Sequence, residues 1–169
     1  TADISIRSAL TGHLIFSTIH TNDAVSSIGR LVDMGVEPYL VASVLEGVLA
    51  QRLGRKICKE CKQQVPISND LSHRLTPEER TMFTAGMWIG EGCDKCNNSG
   101  FSGRVGFFEL VVIDPQVRSA ISDNRTASDL TALLPDAHVT MRADAIKKAV
   151  NGITTIGEVL RATQDVDSE

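Results

Sequence analysis

Leu14-Ile15-Phe16-Ser17-Thr18-Ile19-His20-Thr21-Asn22-Asp23 is a short run of β-branched and apolar residues that breaks into a polar turn. An apolar run of this length, rich in β-branching and bounded by Gly12 and the polar turn, predicts a strand buried on both faces of a parallel sheet. The sequence after it predicts a helix: Asn22 or Asp23 can cap it, Val25, Ile28 and Val32 recur at helical spacing, and Gly35 can close it in a left-handed conformation. A second helix is expected to start at Pro38 and to carry Leu40, Val41, Val44, Leu45, Val48 and Leu49 as an apolar stripe against the sheet. Upstream, Ala2, Ile4, Ile6, Ala9 and Leu10 already follow a helical period, and a helix entered without a cap reads as part of a longer chain. The fold class expected is α/β. In open α/β sheets ligands gather where strands end and helices begin, which places His20 to Asp23 at a candidate site.

Downstream, the only four cysteines form two Cys-x-x-Cys pairs, Cys58/Cys61 and Cys93/Cys96, about thirty residues apart. Each pair can span one edge of a tetrahedron, so the spacing points to a closed four-sulfur zinc site; iron or a redox pair are the competing readings. Four thiolates leave no open position for water or substrate, so such a metal is structural. Arg55, Lys56, Lys59, Lys62 and Lys95 crowd the same segments and offset the negative charge of a metal tetrathiolate.

Composition narrows the function classes. The chain has 169 residues, 42% of them hydrophobic, a mean hydropathy near zero and a net charge of −4. No apolar run is long enough to cross a bilayer, Leu110 to Ile113 being typical. Acidic charge with one Trp and one Tyr argues against a nucleic-acid module built on phosphate neutralisation and base stacking. Reduced cysteines favour the cytoplasm.

Between the cysteine pairs, Thr76-Pro77-Glu78-Glu79 predicts a capped helix start, Gln63 to Arg74 is polar enough to be mobile, and Asn97-Asn98-Ser99-Gly100 predicts a tight turn. Val105 to Ile113 predicts a returning strand, and Asp114-Pro115 opens a helical tail with capping boxes at Thr126/Asp129 and Thr155/Glu158, a break at Pro135 and a stop at Gly152. Arg142, Asp144, Lys147 and Lys148 read as a solvated face, and His73 and His138 as surface residues.

The run Ala9 to Ala24, Arg30-Leu31-Val32-Asp33-Met34-Gly35-Val36, Pro38-Tyr39-Leu40, Gln51-Arg52-Leu53, the four cysteines, Gly103-Arg104-Val105-Gly106 and Gly152-Ile153-Thr154-Thr155 together resemble the secretion ATPases, the GspE/PilB family of type II secretion and type IV pilus assembly motors. The resemblance covers nearly the whole chain. It implies a partial RecA-like P-loop NTPase core with a tetracysteine zinc module and a helical C-terminal tail, divided as 1–56, 57–104 and 105–169. It also implies a hexameric, cytoplasmic ATP hydrolase that uses ATP and Mg²⁺ and is held at the inner membrane by secretion or pilus platform proteins, without entering the bilayer itself. The cysteine insert favours assembly over retraction motors. By position His20 carries the γ-phosphate-sensing role, with His13, Thr18, Arg30 and Arg52 as further nucleotide-site candidates.

One departure stands out: the sequence contains no G-x-x-x-x-G-K-[ST] loop and no Walker B segment, the two parts that cradle phosphates and help hold Mg²⁺. The polypeptide by itself is therefore expected to be inactive. Two other readings are a non-catalytic zinc-bearing interaction domain that binds a platform protein, and a zinc-ribbon nucleic-acid binder.

Overall fold

The computed structural model describes residues 2–163. In chain order the elements are α1 (Ala2–Leu10), α2 (Ala24–Asp33), α3 (Pro38–Val44), β1 (Gly47–Ile57), β2 (Lys62–Val65), α4 (Asn69–His73), α5 (Pro77–Thr81), β3 (Met87–Gly90), a 3-10 turn (Asp94–Cys96), β4 (Phe101–Val112), α6 (Pro115–Ser122), α7 (Ala127–Ala132), α8 (Met141–Val150) and α9 (Ile156–Thr163). β1 pairs with β4, and β2 with β3 in antiparallel register from Lys62↔Gly90 to Val65↔Met87. Chain contacts divide into two units, each discontinuous in sequence: Thr1–Ala50 with Glu109–Val139, and Gln51–Phe108 with Thr140–Glu169.

The first unit gathers α1, α2, α3, α6 and α7 with the first residues of β1 and the last of β4. Ile6 of α1, Val25 and Ile28 of α2, Val41 of α3, Val111 of β4, Val117 and Ile121 of α6 and Leu130 of α7 form one buried cluster. Local chemistry sets the helix ends. Asp23 accepts a hydrogen bond from the Ser26 N–H, Asp114 accepts from Gln116 and Val117, and Thr126 and Asp129 form a complete capping box. Gly35 follows α2 at φ 87°, a conformation that costs glycine little.

The strand expected over Leu14–Ile19 does not form. His13 to Thr21 carries no regular structure, and Leu14 and Phe16 are 79% and 89% exposed. A strand needs a neighbour to take its hydrogen bonds and cover its faces, and both described ladders are made by other segments. No parallel sheet exists among the described residues. The stripe from Leu40 is also cut short. Helix α3 ends at Val44, Leu45 is already extended with ψ 123°, and Val48 and Leu49 lie in β1. Gly47 is a poor helix residue, and the pairing of this stretch with β4, marked by the Ile113 N–H to Glu46 carbonyl bond of 3.0 Å, takes over.

In the second unit Ile57, Leu75, Phe83, Phe107, Met141, Ile146, Ile156, Val159 and Leu160 are buried. The Gly152-Ile153-Thr154 turn is fastened to β1: the Ile57 N–H donates to the Ile153 carbonyl at 2.9 Å, and the Thr154 hydroxyl to the Arg55 carbonyl at 2.7 Å. Gln63 to Arg74, expected to be mobile, holds β2 and α4. Of the four charges of α8 expected on a solvated face, Lys147 is exposed, but the other three are engaged. Arg142 donates to Glu79 at 2.6 and 2.9 Å, Asp144 accepts from the Phe108 N–H at 2.9 Å, and Lys148 bonds Asp144 and the Gly106 carbonyl. Each partner lies far away in sequence, apart from the Lys148–Asp144 pair within the helix.

Candidate metal centre and histidine segment

Two loops of the second unit deliver the cysteines. Cys58 leaves the end of β1 with its N–H bonded to the Gly100 carbonyl at 3.0 Å, and Cys61 begins the turn into β2 with its carbonyl bonded by the Glu91 N–H at 3.0 Å. Cys93 precedes the 3-10 turn that carries Cys96. Asn97 and Asn98 follow at φ 51° and 57°, both left-handed, and Gly100 at 75°. A Cβ on Gly100 would strike the Gly90 backbone, and one on Gly90 would strike Gly100. The two glycines let β3 and the second cysteine loop cross in contact, which brings the pairs together.

The four sulfurs lie within 4.8 Å of one another, with Sγ–Sγ separations of 3.9 Å for Cys58–Cys93, 3.8 Å for Cys61–Cys96 and 3.7 Å for Cys93–Cys96. A tetrahedral ion with metal–sulfur bonds of about 2.3 Å requires edges of about 3.8 Å. The donor set therefore fits a tetrahedral, sulfur-liking metal. None of the cysteines is disulfide-bonded.

Backbone N–H groups already point at the sulfurs: Gly92 at Cys61, and Cys93 and Gly100 at Cys96, each at 3.3 Å. Burial raises the Cys61 thiol to about 12, helped by the neighbouring thiols, and burial also raises Cys93. At Cys96 burial opposes ionisation, but the N–H groups of Cys93 and Gly100 outweigh it and bring the thiol down to about 6.

The five cations expected near the cysteines divide into two sets. Arg55 lies 4.0 Å from the Phe101 ring centroid and pairs with Glu158 at 2.9 Å; Lys62 lies 4.2 Å from the Trp88 ring centroid and reaches the Asn151 carbonyl at 3.5 Å. Lys56, Lys59 and Lys95 instead line an open depression with Cys58.

The nucleotide candidates lie elsewhere. His13, Thr18 and His20 share the exposed His13–Thr21 segment of the first unit, and Arg30 is exposed near the end of α2. His13 Nδ1 is 3.0 Å from the Thr11 hydroxyl and 3.2 Å from the Ser8 carbonyl. Arg52 is exposed on β1 within the second unit. Thr21, not among the candidates, ties this segment to α2 through a 2.6 Å contact with the buried Ser27 hydroxyl. His73 is exposed, as expected, but His138 is not a surface residue. Its side chain is 11% exposed and Nε2 lies 3.4 Å from Glu109 Oε1, itself on a 10% exposed side chain. Sequence reading could not reach that pair, because strand alternation marks Glu109 as inward but names no partner.

Comparison with known proteins places this arrangement. The family model described as type II/IV secretion system protein matches residues 1–161. The chain belongs to that family. Secretion-family relatives include type II secretion system protein E of Dickeya dadantii, 41% identical over 98% of this chain and 32% of its own length. Another is the type IV pilus assembly ATPase PilB of Thermus thermophilus, 41% identical over 96% of this chain and 18% of the relative. The chain thus spans about a third or less of these relatives. Among solved structures, the pilus retraction motor PilT with bound ADP superposes with a TM-score of 0.62 at 23% identity, over 97% of this chain and 36% of that one. That likeness establishes a shared α/β fold. Among the described residues of this secretion-family chain, no helix is long and apolar enough to cross a membrane.

Proposed function

We propose that this chain is the C-terminal part of a hexameric cytoplasmic ATPase that powers type II protein secretion or type IV pilus assembly, held at the inner membrane by platform proteins. The observation that carries the reading is the family match across residues 1–161, which takes in the histidine segment and the cysteine cluster together. On this reading residues 1–56 belong to the RecA-like core, 57–104 form the metal module, and 105–169 return a strand and complete a helical subdomain.

His20 is the γ-phosphate sensor, with His13, Thr18, Arg30 and Arg52 contributing to the nucleotide site of the assembled motor. An imidazole suits the task because it donates or accepts one hydrogen bond when neutral and stabilises phosphate charge when protonated, near physiological pH. The exposure of His20, Thr18 and Arg30 is compatible with groups whose ligand is presented by another part of the protein. Cys58, Cys61, Cys93 and Cys96 hold Zn²⁺, whose binding to four thiolates supplies folding energy and leaves no catalytic position. ATP and Mg²⁺ serve the complete motor.

Calorimetry tests the division of labour. This chain alone should bind ATP no more tightly than about 1 mM, roughly −4 kcal/mol, because the phosphate loop is missing, while the full-length protein should bind and hydrolyse it. Tight ATP binding by the chain alone, or no hydrolysis by the full-length protein, would overturn the reading.

A further inference from the structure

We propose that the depression bounded by Lys56, Lys59 and Lys95 is a docking site for an acidic protein segment. Its volume is about 400 Å³, and Ile57, Cys58, Glu60 and Ser102 complete the lining. Three lysines face one glutamate there, on a chain whose overall charge is −4. The side chains of the lining are therefore mainly cationic on an acidic chain, and their three ammonium donors suit an anionic partner.

These lysines differ from the cations that tie the second unit together in that, among the described residues, their ammonium groups are not used. Arg55 is bound to Glu158, Lys62 to the Asn151 carbonyl and the Trp88 ring, Arg142 to Glu79, Lys148 to Asp144 and Gly106, and Arg161 to Glu158. Among the described residues no hydrogen bond, ion pair or ring contact engages the ammonium of Lys56, Lys59 or Lys95. The cations that tie segments of the second unit together spend their charge inside it; these three, like the exposed Arg104 and Lys147, do not, and these three line one depression. A metal tetrathiolate beside Cys58 would offset part of the charge of the three lysines and leave their N–H donors available.

The lining decides between anionic partners. It holds no aromatic ring on which a nucleobase could stack, and its one large apolar residue, Ile57, is 3% exposed. A membrane-seated patch is expected to pair its cations with exposed apolar side chains, and this one does not. Carboxylates on a peptide fit three point-charge donors and a serine hydroxyl in a concave site.

The test uses the zinc-loaded chain and a fluorescein-labelled dodecapeptide of alternating Glu and Asp, followed by anisotropy at about 50 mM salt, where the Debye length is still long enough for steering. An exposed ion pair changes affinity by up to about fivefold, so K56Q/K59Q/K95Q should weaken binding at least tenfold, with K147Q as a control that leaves it unchanged. Zinc content and Trp88 emission check that the triple variant is folded. If it is not, K59Q and K95Q alone should each weaken binding about two- to fivefold. Equal affinity of wild type and the lysine variants would overturn the proposal. So would lysine-dependent binding of phosphatidylglycerol vesicles or of an oligonucleotide with none of the peptide. None of these outcomes bears on ATP hydrolysis by the full-length protein, so the two readings fail separately.

Discussion

Replacing Glu158 by Gln should remove about 2 kcal/mol of stability at pH 7. The Glu158 side chain is 3% exposed and accepts from the Arg55 N–H at 2.6 Å, from the Arg55 guanidinium at 3.1 and 2.9 Å, and from Arg161 at 3.2 and 2.7 Å. Burial pushes its pKa up, but the hydrogen bonds from Arg161 and then Arg55 outweigh burial and hold the carboxyl at about 2, from an ordinary 4.5. A shift of that size corresponds to roughly 3 kcal/mol. Both arginine side chains are more than half exposed, at 55% and 59%, and solvent screening lowers the expected figure to about 2 kcal/mol.

The sign follows from the depressed pKa. The folded state holds the carboxylate more tightly than the unfolded state, so the stabilisation is complete above about pH 5 and is lost as pH falls from 4.5 toward 2. About a quarter of it should be gone at pH 4. Urea unfolding followed by Trp88 emission is the assay, since Trp88 is the only tryptophan and its ring N–H donates to the Val150 carbonyl at 3.2 Å in the same unit. Wild type and E158Q carry the same four cysteines, so protonation of the metal ligands lowers both curves alike and cancels in their difference. A difference below about 0.5 kcal/mol at pH 7, or one that does not narrow between pH 6 and pH 4, would refute the reasoning.

Removing zinc with a strong chelator should unfold the second unit, lowering far-UV dichroism and shifting Trp88 emission; C96S should retain less than about a tenth of one metal ion per chain by mass spectrometry. An unchanged spectrum and protease resistance after stripping would contradict this. Substituting Gly100 by Ala should cost roughly 2–4 kcal/mol, because φ is 75° and the new Cβ meets the Gly90 backbone; a thermal midpoint within a degree of wild type would count against the crossing. R142A should cost about 1–2 kcal/mol in urea unfolding, since Glu79 is 14% exposed and Arg142 30%. F16S should leave the midpoint unchanged to within about 0.5 kcal/mol, as expected for a side chain that is 89% exposed.

The features legible in the sequence are those decided within a few residues. Asp23, Thr76, Asp114 and Thr126 cap the helices that follow them, Gly35 and Gly152 end helices at positive φ, and the spacing of the cysteines already implies the cluster. Where the outcome depends on a distant partner, local reading fails. Leu14 to Ile19 has the composition of a buried strand but, among the described residues, no strand pairs with it, and Val48 and Leu49 continue a helical stripe that β4 converts to a strand. Thr155 and Glu158 read as a capping box, yet only half of it forms: the Glu158 N–H donates to the Thr155 hydroxyl at 3.2 Å, while the carboxylate turns to Arg55, 103 residues away. The same blindness hid His138 against Glu109 and Arg142 against Glu79.

The most direct measurement is ATP turnover by the full-length protein carrying H20A, taken with ATP affinity on the same sample. A γ-phosphate sensor contributes at the chemical step, so turnover should fall at least about 100-fold while affinity changes by less than about threefold. Wild-type turnover in the H20A protein would contradict the role assigned to the histidine segment.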